Sequence, residues 1–455
     1  MRRAVAPLLT LTVALVMADS AVVTLALPDI LQHLHTSVAQ VAWVLIVFNL
    51  VLGLVAVPTA AMFARTPSRL LTAAGIAVFA GASAWCALAG SIEVLVGARC
   101  LQALGGALAL VGCLEHLVAA YGERRGVATW VTAGVVGTAV GPVAGGLLTQ
   151  AFSWQAIFVV QVPCAVLAVP AALAAPGVPA LTPDRHRPAI RANLTLALLS
   201  AALTAALFLL VLLLVEGWRR SPATAALTVS VVPLAALAAR PVARLLGPPA
   251  EVEVAVGCFL IAGGLACLAI PPSADLAWTI APQALIGLGL GLTIERLTSQ
   301  AMQMRLPRVQ HAGWTIGARH LGVVLGLAIL TPVFTADLRD AQTPAQEAIT
   351  SLVLDAPLQP QDKIAVAQAL GDQLNDQQGR IPDLHHAFAT LDLDPAERPA
   401  AAKLERDLDA QLERAATRAF RDSFLVGAGL ALVALLTVVA TGIVTLIVPG
   451  RRASP

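Results

Sequence analysis

The chain has 455 residues, of which 58% are hydrophobic and 12% are charged, and its formal net charge is +2. So few charged groups cannot cover the surface of a soluble protein of this length, which excludes an ordinary soluble globular domain. The small net charge gives no indication of a nucleic-acid partner.

Apolar segments follow one another along the chain, each close to the ~20 residues that cross about 30 Å of hydrocarbon. The first follows Arg2 and Arg3 and continues past Asp19 to Pro28, so we interpret it as a membrane span rather than a cleaved leader. The composition therefore predicts an all-α membrane protein with about twelve transmembrane helices in a lipid bilayer. The predicted spans are Ala6–Pro28, Val41–Met62, Arg69–Gly90, Glu93–Ala120, Val127–Thr149, Trp154–Leu173, Asn193–Val215, Ala223–Ala239, Val252–Ile270, Leu276–Ser299, Ala312–Phe334 and Asp422–Val448.

A polar, proline-rich segment divides these spans into six and six. We predict an N-terminal half at 1–175, a linker at 176–192 and a C-terminal half at 193–448. Between the last two spans lies a hydrophilic loop at 336–421, with nine Lys/Arg and fifteen Asp/Glu. Apolar residues repeat every four positions in this loop and predict a helix that enters the last span; they are Leu404, Leu408, Leu412, Ala416 and Phe420. The loop is interpreted as a solvated appendage or as a lid over the outer opening.

The distribution of arginine predicts the orientation, because cytoplasmic loops are enriched in Lys and Arg. With a cytoplasmic N-terminus, the short outer loops carry only Arg219 and Arg220. The cytoplasmic segments then carry Arg2, Arg3, Arg65, Arg69, Arg124, Arg125, Arg185, Arg187, Arg191, Arg240, Arg244, Arg305, Arg308, Arg451 and Arg452. We expect both termini to be cytoplasmic and the protein to lie in the cell inner (plasma) membrane.

Two ionisable residues are predicted at a similar depth from the outer surface. Asp19 lies roughly 13 Å deep in span 1, and Arg99 lies roughly 9 Å deep in span 4, at 1.5 Å per residue. An ion pair is therefore possible, and a buried carboxylate beside an arginine can bind and release a proton as its partner moves. The alternative is a static structural pair.

Several motifs stand in the same order as in a known transporter family. They are Asp19-Ser-Ala-Val-Val-Thr-Leu-Ala-Leu-Pro28, Arg99-x-x-Gln102-x-x-Gly105-Gly106, Gly137-x-x-x-Gly141-Pro142-x-x-Gly145-Gly146, Ser153-Trp154-x-x-Ile157-Phe158, Gly287-x-Gly289-x-Gly291 and Arg319-His320-Leu321-Gly322. The chain resembles the drug:proton antiporters of the major facilitator superfamily, of the EmrB/QacA type that exports drugs and antibiotics. The resemblance implies the major facilitator fold, with two six-helix halves, and proton coupling through Asp19 and Arg99.

The glycine motif of span 5 also has a direct physical interpretation. Gly137, Gly141 and Gly145 are four residues apart and share one helix face without side chains, and Gly146 adjoins it. Pro142 removes a backbone hydrogen bond and bends the helix. Such a face suits a helix that rocks against its neighbour, or simply one that packs tightly.

The sequence also departs from the family pattern. The loop between spans 2 and 3 has Ala64 where the family carries an acidic residue, and the matching loop of the second half has Arg244 where an aspartate is usual. The ion pairs that hold the outward-facing state are therefore expected to be weaker or built differently.

Further charged residues lie toward the inner ends of spans 4 and 10. Glu115-His116 is interpreted as snorkelling toward the headgroups. Glu295, followed by Arg296, is predicted either to do the same or to form a switchable pair with Arg319 in an acidic vestibule that attracts cations. We assign Gln102, Glu295 and Arg319 to the substrate cavity or its gating.

The favoured function is the proton-driven export of small amphipathic molecules, with cationic molecules among the candidates. The alternatives are a dedicated exporter of one metabolite or lipid-like molecule, and a non-transporting membrane receptor or assembly protein. No metal-ligand cluster, phosphate loop or nucleophile–base pair is evident, so neither enzymatic activity nor a cofactor is expected. The expected partners are the substrate, protons and lipid, and the expected state is a monomer.

Overall fold

A computed structural model describes residues 2–63, 66–175, 187–270, 274–302, 308–376, 388 and 397–447. Twelve of its helices are long and apolar enough to cross a membrane. The predicted all-α membrane protein with twelve spans is therefore confirmed. In a bilayer each span satisfies its own backbone hydrogen bonds, which is why long apolar segments fold as helices.

The helices are numbered in chain order, and α1 to α11 together with α14 are the twelve spans. They are α1 (Arg2–His33), α2 (Val38–Phe63), α3 (Ser68–Ala87), α4 (Ile92–Tyr121), α5 (Glu123–Ala151), α6 (Ala156–Ala174), α7 (Ile190–Gly217), α8 (Pro222–Leu246), α9 (Ala250–Leu268), α10 (Ala277–Met302), α11 (Arg308–Asp355), α12 (Pro360–Asp376), α13 (Arg398–Ala419) and α14 (Arg421–Ile447). Two stretches of α7, Ala205–Leu209 and Leu213–Gly217, are π-helical.

Several helices extend beyond the predicted spans. Helix α11 continues past Phe334 to Asp355, and α1 continues through Pro28 to His33. Hydropathy marks only the part of a helix that lies in lipid, whereas the backbone hydrogen bonds continue wherever the residues allow them. The ends of these two helices were therefore predicted too early.

The helices of each half pack in the same pattern. Helix α1 packs on α5 as α7 packs on α11, and α2 packs on α4 as α8 packs on α10. Helix α3 contacts α4 and α6, as α9 contacts α10 and α14. Most of the predicted linker, residues 176–186, and the residues Ala64, Arg65, Arg185, Arg305, Arg451 and Arg452 lie outside the described residues.

Two ends of the bundle are distinguished below. The N-terminal face carries the start of α1, and the loop face carries the segment between the last two spans. The halves touch at both ends, through α2 against α11 and α5 against α8. A Cβ atom on Gly313 would lie 2.9 Å from the Ala56 carbonyl oxygen, and one on Gly146 would lie 2.7 Å from the Pro222 carbonyl oxygen. Both interfaces therefore depend on the absence of a side chain.

The hydrophilic loop forms a small helical unit at the loop face. The helix predicted from the four-residue repeat is present as α13, and a single turn residue, Phe420, separates it from α14. The apolar face of α13 is buried against α11. Trp218 at the end of α7 donates from Nε1 to Thr417 Oγ1 at 2.9 Å, and Arg219 pairs with Asp409 at 3.0 Å. The unit is thus packed on the C-terminal half.

Candidate functional site

A cluster of polar side chains lies inside the N-terminal half, where four helices meet. Helix α1 supplies Asp19, α3 supplies Ser83, α4 supplies Arg99 and Gln102, and α6 supplies Gln161. These five residues are named the Asp19 cluster. Asp19, Arg99 and Gln102 have no exposed surface. Polar groups at such burial are costly unless they are paired, so the cluster must be satisfied internally.

The Asp19 carboxylate is surrounded by donors. Its Oδ2 forms an ion pair with Arg99 Nη1, and its Oδ1 accepts from Gln161 Nε2 at 2.9 Å and from Gln102 Nε2 at 3.2 Å. Gln102 also donates to Ser83 Oγ at 2.8 Å. The ionised form of Asp19 is therefore held by one cation and two amides, which come from two helices.

The Arg99 guanidinium is held on several sides. Nη1 donates to Gln102 Oε1 at 2.6 Å, and Nε donates to the Val44 carbonyl at 3.2 Å. The group also lies 4.1 Å from the centre of the Phe48 ring, a cation–π distance. Nη2 is buried without a hydrogen-bond partner among the described residues. Arg99 thus links α4 to α2 as well as to Asp19.

Sequence reasoning missed Ser83 and Gln161. Neutral polar residues inside an apolar span leave a weaker signal than charged ones, although the same cost argument applies to a buried amide. Gln161 lies in the middle of predicted span 6, and that position is the signal that identifies it.

A cavity of about 140 Å³ lies between the two halves. It is lined by residues of α1, α2, α5, α7, α8, α10 and α11. The apolar part of the wall includes Leu207 and Phe208, which belong to a π-helical stretch of α7. Its small polar residues are Ser20, Thr24, Asn49, Thr138, Ser200 and Thr204, and its larger polar residues are Arg319 and His320.

A hydrogen-bonded chain crosses from one half to the other at this cavity. His320 of α11 lies with Nδ1 2.7 Å from Asn49 Oδ1 of α2. Asn49 also lies within 3.4 Å of the Ser20 hydroxyl of α1 and donates from Nδ2 to the Leu45 carbonyl at 2.8 Å. Because a carbonyl oxygen only accepts, the proton of this bond belongs to His320 Nδ1.

Two consecutive residues of α1 therefore face two different sites. Asp19 points into the Asp19 cluster, whereas Ser20 lines the cavity. Successive residues of an α-helix are rotated by about 100°, which places these side chains on different faces. Any rotation or shift of α1 at Asp19 must also move Ser20 and its hydrogen bond to Asn49.

The residues assigned to the cavity occupy three different places. Arg319 lines the cavity, Gln102 belongs to the Asp19 cluster, and Glu295 is half-buried on α10 outside the lining. No ion pair joins Glu295 and Arg319 within the part of the chain that the structure describes. The adjacent Arg296 pairs instead with Glu253 of α9 at 2.6 Å.

Glu115 and His116 are buried rather than snorkelling, with exposures of 4% and 1%. His116 Nε2 lies 3.1 Å from the Thr72 hydroxyl of α3. Snorkelling was the wrong interpretation because both side chains point into the interface of α4 with its neighbours, which sequence position alone does not show.

An ion pair joins the two halves at the N-terminal face. Arg308, at the start of α11, lies 3.0 Å from Glu123, at the start of α5. The position of the missing acidic residue, Ala64, lies outside the described residues, and Arg244 is exposed. Glu123 and Arg308 thus connect the halves by a pair that is not part of the family's loop motif.

The glycine face of α5 packs on α1. A Cβ atom on Gly141 would lie 2.9 Å from the Ala18 carbonyl oxygen, and one on Gly145 would lie 3.0 Å from Val22 Cα. The contact is therefore between backbones, on the helix that carries Asp19. At Gly134 the first neighbour of an added Cβ is the Met17 side chain at 3.3 Å, which is flexible.

The described residues contain no group of three or more His, Cys, Asp or Glu that could hold a metal ion.

Comparison with known proteins gives one family. The family model described as Major Facilitator Superfamily matches residues 9–331. The chain is 34% identical over 159 residues to the multidrug efflux pump LfrA of Mycolicibacterium smegmatis, covering 34% of this chain and 32% of that protein. It is 32% identical over 164 residues to the tetracenomycin C resistance and export protein of Streptomyces glaucescens, covering 35% and 30%. The matches span about a third of the length of these relatives.

Solved structures share the fold over most of the chain. A bacterial homolog of the human lysosomal transporter Spinster, in an inward-facing and occupied conformation, aligns with a TM-score of 0.65 at 16% identity and covers 98% of both chains. A POT family transporter aligns with a TM-score of 0.59 at 11% identity, over 73% of this chain and 91% of that one. At these identities the likeness concerns the fold alone.

Proposed function

Since this chain belongs to the major facilitator superfamily, we propose that it is a secondary transporter that exports small amphipathic molecules in exchange for protons. The observation that carries the proposal is the placement of Asp19 and Ser20. Asp19 belongs to the buried Asp19 cluster, and the next residue of α1, Ser20, lines the cavity between the halves. A transporter needs such a connection, because proton binding must change the site that binds the substrate.

In the proposed cycle, protonation of Asp19 removes the negative charge that balances Arg99. The unpaired guanidinium is then unfavourable in a fully buried site, so a conformation that hydrates or re-pairs it gains population. Since Asp19 is bound by residues of α4 and α6, release of these bonds frees α1 to shift along the glycine face of α5. Loss of the proton restores the ion pair and reverses the shift.

The shift of α1 is proposed to reach the opposite half through Ser20, Asn49 and His320. These residues bond α1 to α2 and α2 to α11 at the cavity wall. The two halves would then close at one face, either the N-terminal face or the loop face, while they open at the other. This motion is alternating access around a central site.

Several further features belong to the proposal. We propose that the N-terminal face, which carries Arg2 and Arg124, lies in the cytoplasm, because arginine is enriched at this face. The protein is proposed to act as a monomeric carrier in the plasma membrane and to catalyse no reaction. The names of its relatives, multidrug efflux pump and resistance and export protein, support export as the direction.

The test is transport into inverted membrane vesicles with an imposed pH gradient, against a chemically broad compound panel. At least one compound should accumulate in the vesicles, release protons from them, and cease to accumulate when an uncoupler removes the gradient. Accumulation that is insensitive to the uncoupler would contradict proton coupling. A folded protein that moves no compound would favour a receptor or assembly role.

A further inference from the structure

We infer that the cavity binds molecules with an acidic, negatively charged group on an apolar body, and that Arg319 is the residue that selects them. The inference rests on the proposed transport function and names its substrate class. Among the described residues that line the cavity, Arg319 is the one with a permanent charge, and no carboxylate is present. An anion would therefore meet attraction without repulsion.

Arg319 differs from three other arginines of the membrane-spanning helices. Arg99, Arg296 and Arg308 each contact a carboxylate, namely Asp19, Glu253 and Glu123. Arg319 has neither an ion pair nor a hydrogen bond to another described residue. An unpaired charge in the membrane interior is costly, and such residues commonly mark a substrate pathway. A bound carboxylate or ionised phenol would supply the missing partner through charge-assisted hydrogen bonds.

The residue next to Arg319, His320, also lines the cavity and has a fixed orientation. His320 donates from Nδ1 to Asn49 and has no partner for Nε2 among the described residues. With Nδ1 engaged, the ring is fixed in orientation beside Arg319. The Thr204 hydroxyl donates to the Ser200 carbonyl at 2.9 Å, whereas the Ser200 hydroxyl is a further donor in the wall. With its proton on Nδ1, the neutral ring carries a lone pair on Nε2, so the charged donor that this wall offers to an anion is Arg319.

The rest of the wall suits an apolar body. Leu203, Leu207, Phe208 and Ile294 line the same space. With a volume of about 140 Å³, the cavity suits a compact ring system. We therefore assign the cavity to a small organic acid, whereas an acidic vestibule that attracts cations has no carboxylate among the described lining residues.

The experiment compares three probes of one shape: 2-naphthoate, 2-naphthylmethanol and 2-naphthylmethylammonium, which are anionic, neutral and cationic. Binding to the purified full-length protein in nanodiscs of neutral lipid is measured by equilibrium dialysis, with empty nanodiscs subtracted. Naphthoate should bind about tenfold more tightly than either analogue. In Arg319→Gln this preference should fall to less than about threefold, and Arg319→Lys should retain part of it.

The matched control is Arg191→Gln, which removes one positive charge from the exposed start of α7 and leaves the cavity unchanged. It should keep the full preference for naphthoate, and melting temperatures should show that all variants are folded. Equal or tighter binding of the cationic probe, or an Arg319→Gln variant that keeps the preference, would overturn the inference. Loss of naphthoate binding in nanodiscs with anionic lipid would also overturn the inference, since a lipid headgroup would then be the occupant of the cavity.

Binding without a gradient separates this inference from the proposed function. If naphthoate is preferred but no proton-coupled transport occurs, the substrate class stands and the coupling fails. If proton-coupled transport occurs and naphthoate has no preference, the coupling stands and the substrate class fails.

Discussion

His320 Nδ1 lies 2.7 Å from Asn49 Oδ1 and joins α11 to α2 across the interface between the halves. Both residues are buried, with exposures of 8% and 0%. A bond of this kind ties the two halves together at the cavity, where we propose that the substrate binds. Its strength therefore contributes to the stability of the conformation described here.

Breaking the bond between His320 and Asn49 should destabilise this conformation. Asn49→Ala or His320→Ala leaves a buried polar partner unsatisfied, which costs about 1–3 kcal/mol. Each single variant should lower the melting temperature in detergent. The double variant should lose less than the sum of the two, because the bond is lost only once. Additive losses would show that the two residues act independently.

Removal of the carboxylate at position 19 should stop proton-coupled transport. Asp19→Asn keeps the size of the side chain but removes the charge that pairs with Arg99. Drug-driven proton release from vesicles should fall to background, at unchanged membrane abundance. Asp29→Asn is the control, since Asp29 lies on the same helix at the loop face and accepts from the Trp154 amide at 3.1 Å. Normal proton release by Asp19→Asn would make Glu295 the next candidate for coupling.

A side chain at Gly141 should block transport without preventing insertion. Leucine there would collide with the backbone of α1 near Ala18, and overpacking of this kind costs about 1–3 kcal/mol. If the cost falls on one conformation, the equilibrium between conformations shifts roughly 5- to 150-fold. Gly134→Leu should be milder, because the Met17 side chain can move. Equal transport by Gly141→Leu and wild type, at matched abundance, would reduce the glycine face to simple packing.

The ion pair between Glu123 and Arg308 should favour contact between the halves at the N-terminal face. Glu123 is 59% exposed, so the pair should contribute less than about 1 kcal/mol. The rate at which a short bifunctional maleimide crosslinks cysteines at the exposed positions 121 and 310, on a Cys-free background, reports this contact. Glu123→Gln should slow it a few-fold, and the exchanged pair Glu123→Arg with Arg308→Glu should restore it. A rate unchanged by Glu123→Gln would show that the pair has no such role.

Single-cysteine labelling on a Cys-free background tests the orientation. Positions 124 and 184 should be labelled only after the membrane is made permeable, and positions 93 and 409 should be labelled in intact cells. The expectation follows from the arginine distribution between the two faces. Labelling of position 184 from outside alone would reverse the proposed topology.

Much of the fold could be predicted from the sequence. The long apolar segments were sufficient for the twelve spans, because a membrane leaves an apolar segment of that length no alternative to a helix. The four-residue repeat from Leu404 to Phe420 likewise predicted α13 and its buried face. The high cost of a charge in lipid also singled out Asp19, Arg99 and Arg319 from their positions in the apolar segments alone.

Which of these residues meet was decided by the tertiary structure. Depth along two helices made a pair of Asp19 and Arg99 possible, but the packing of α1 between α4, α5 and α6 brings Gln161 to the same carboxylate. Packing also places Arg319 in the cavity and leaves Glu295 outside it. The physical reason is that hydrophobicity determines which segments enter the membrane, whereas the rotation of each helix about its axis is set by side-chain contacts with neighbours that are distant in sequence.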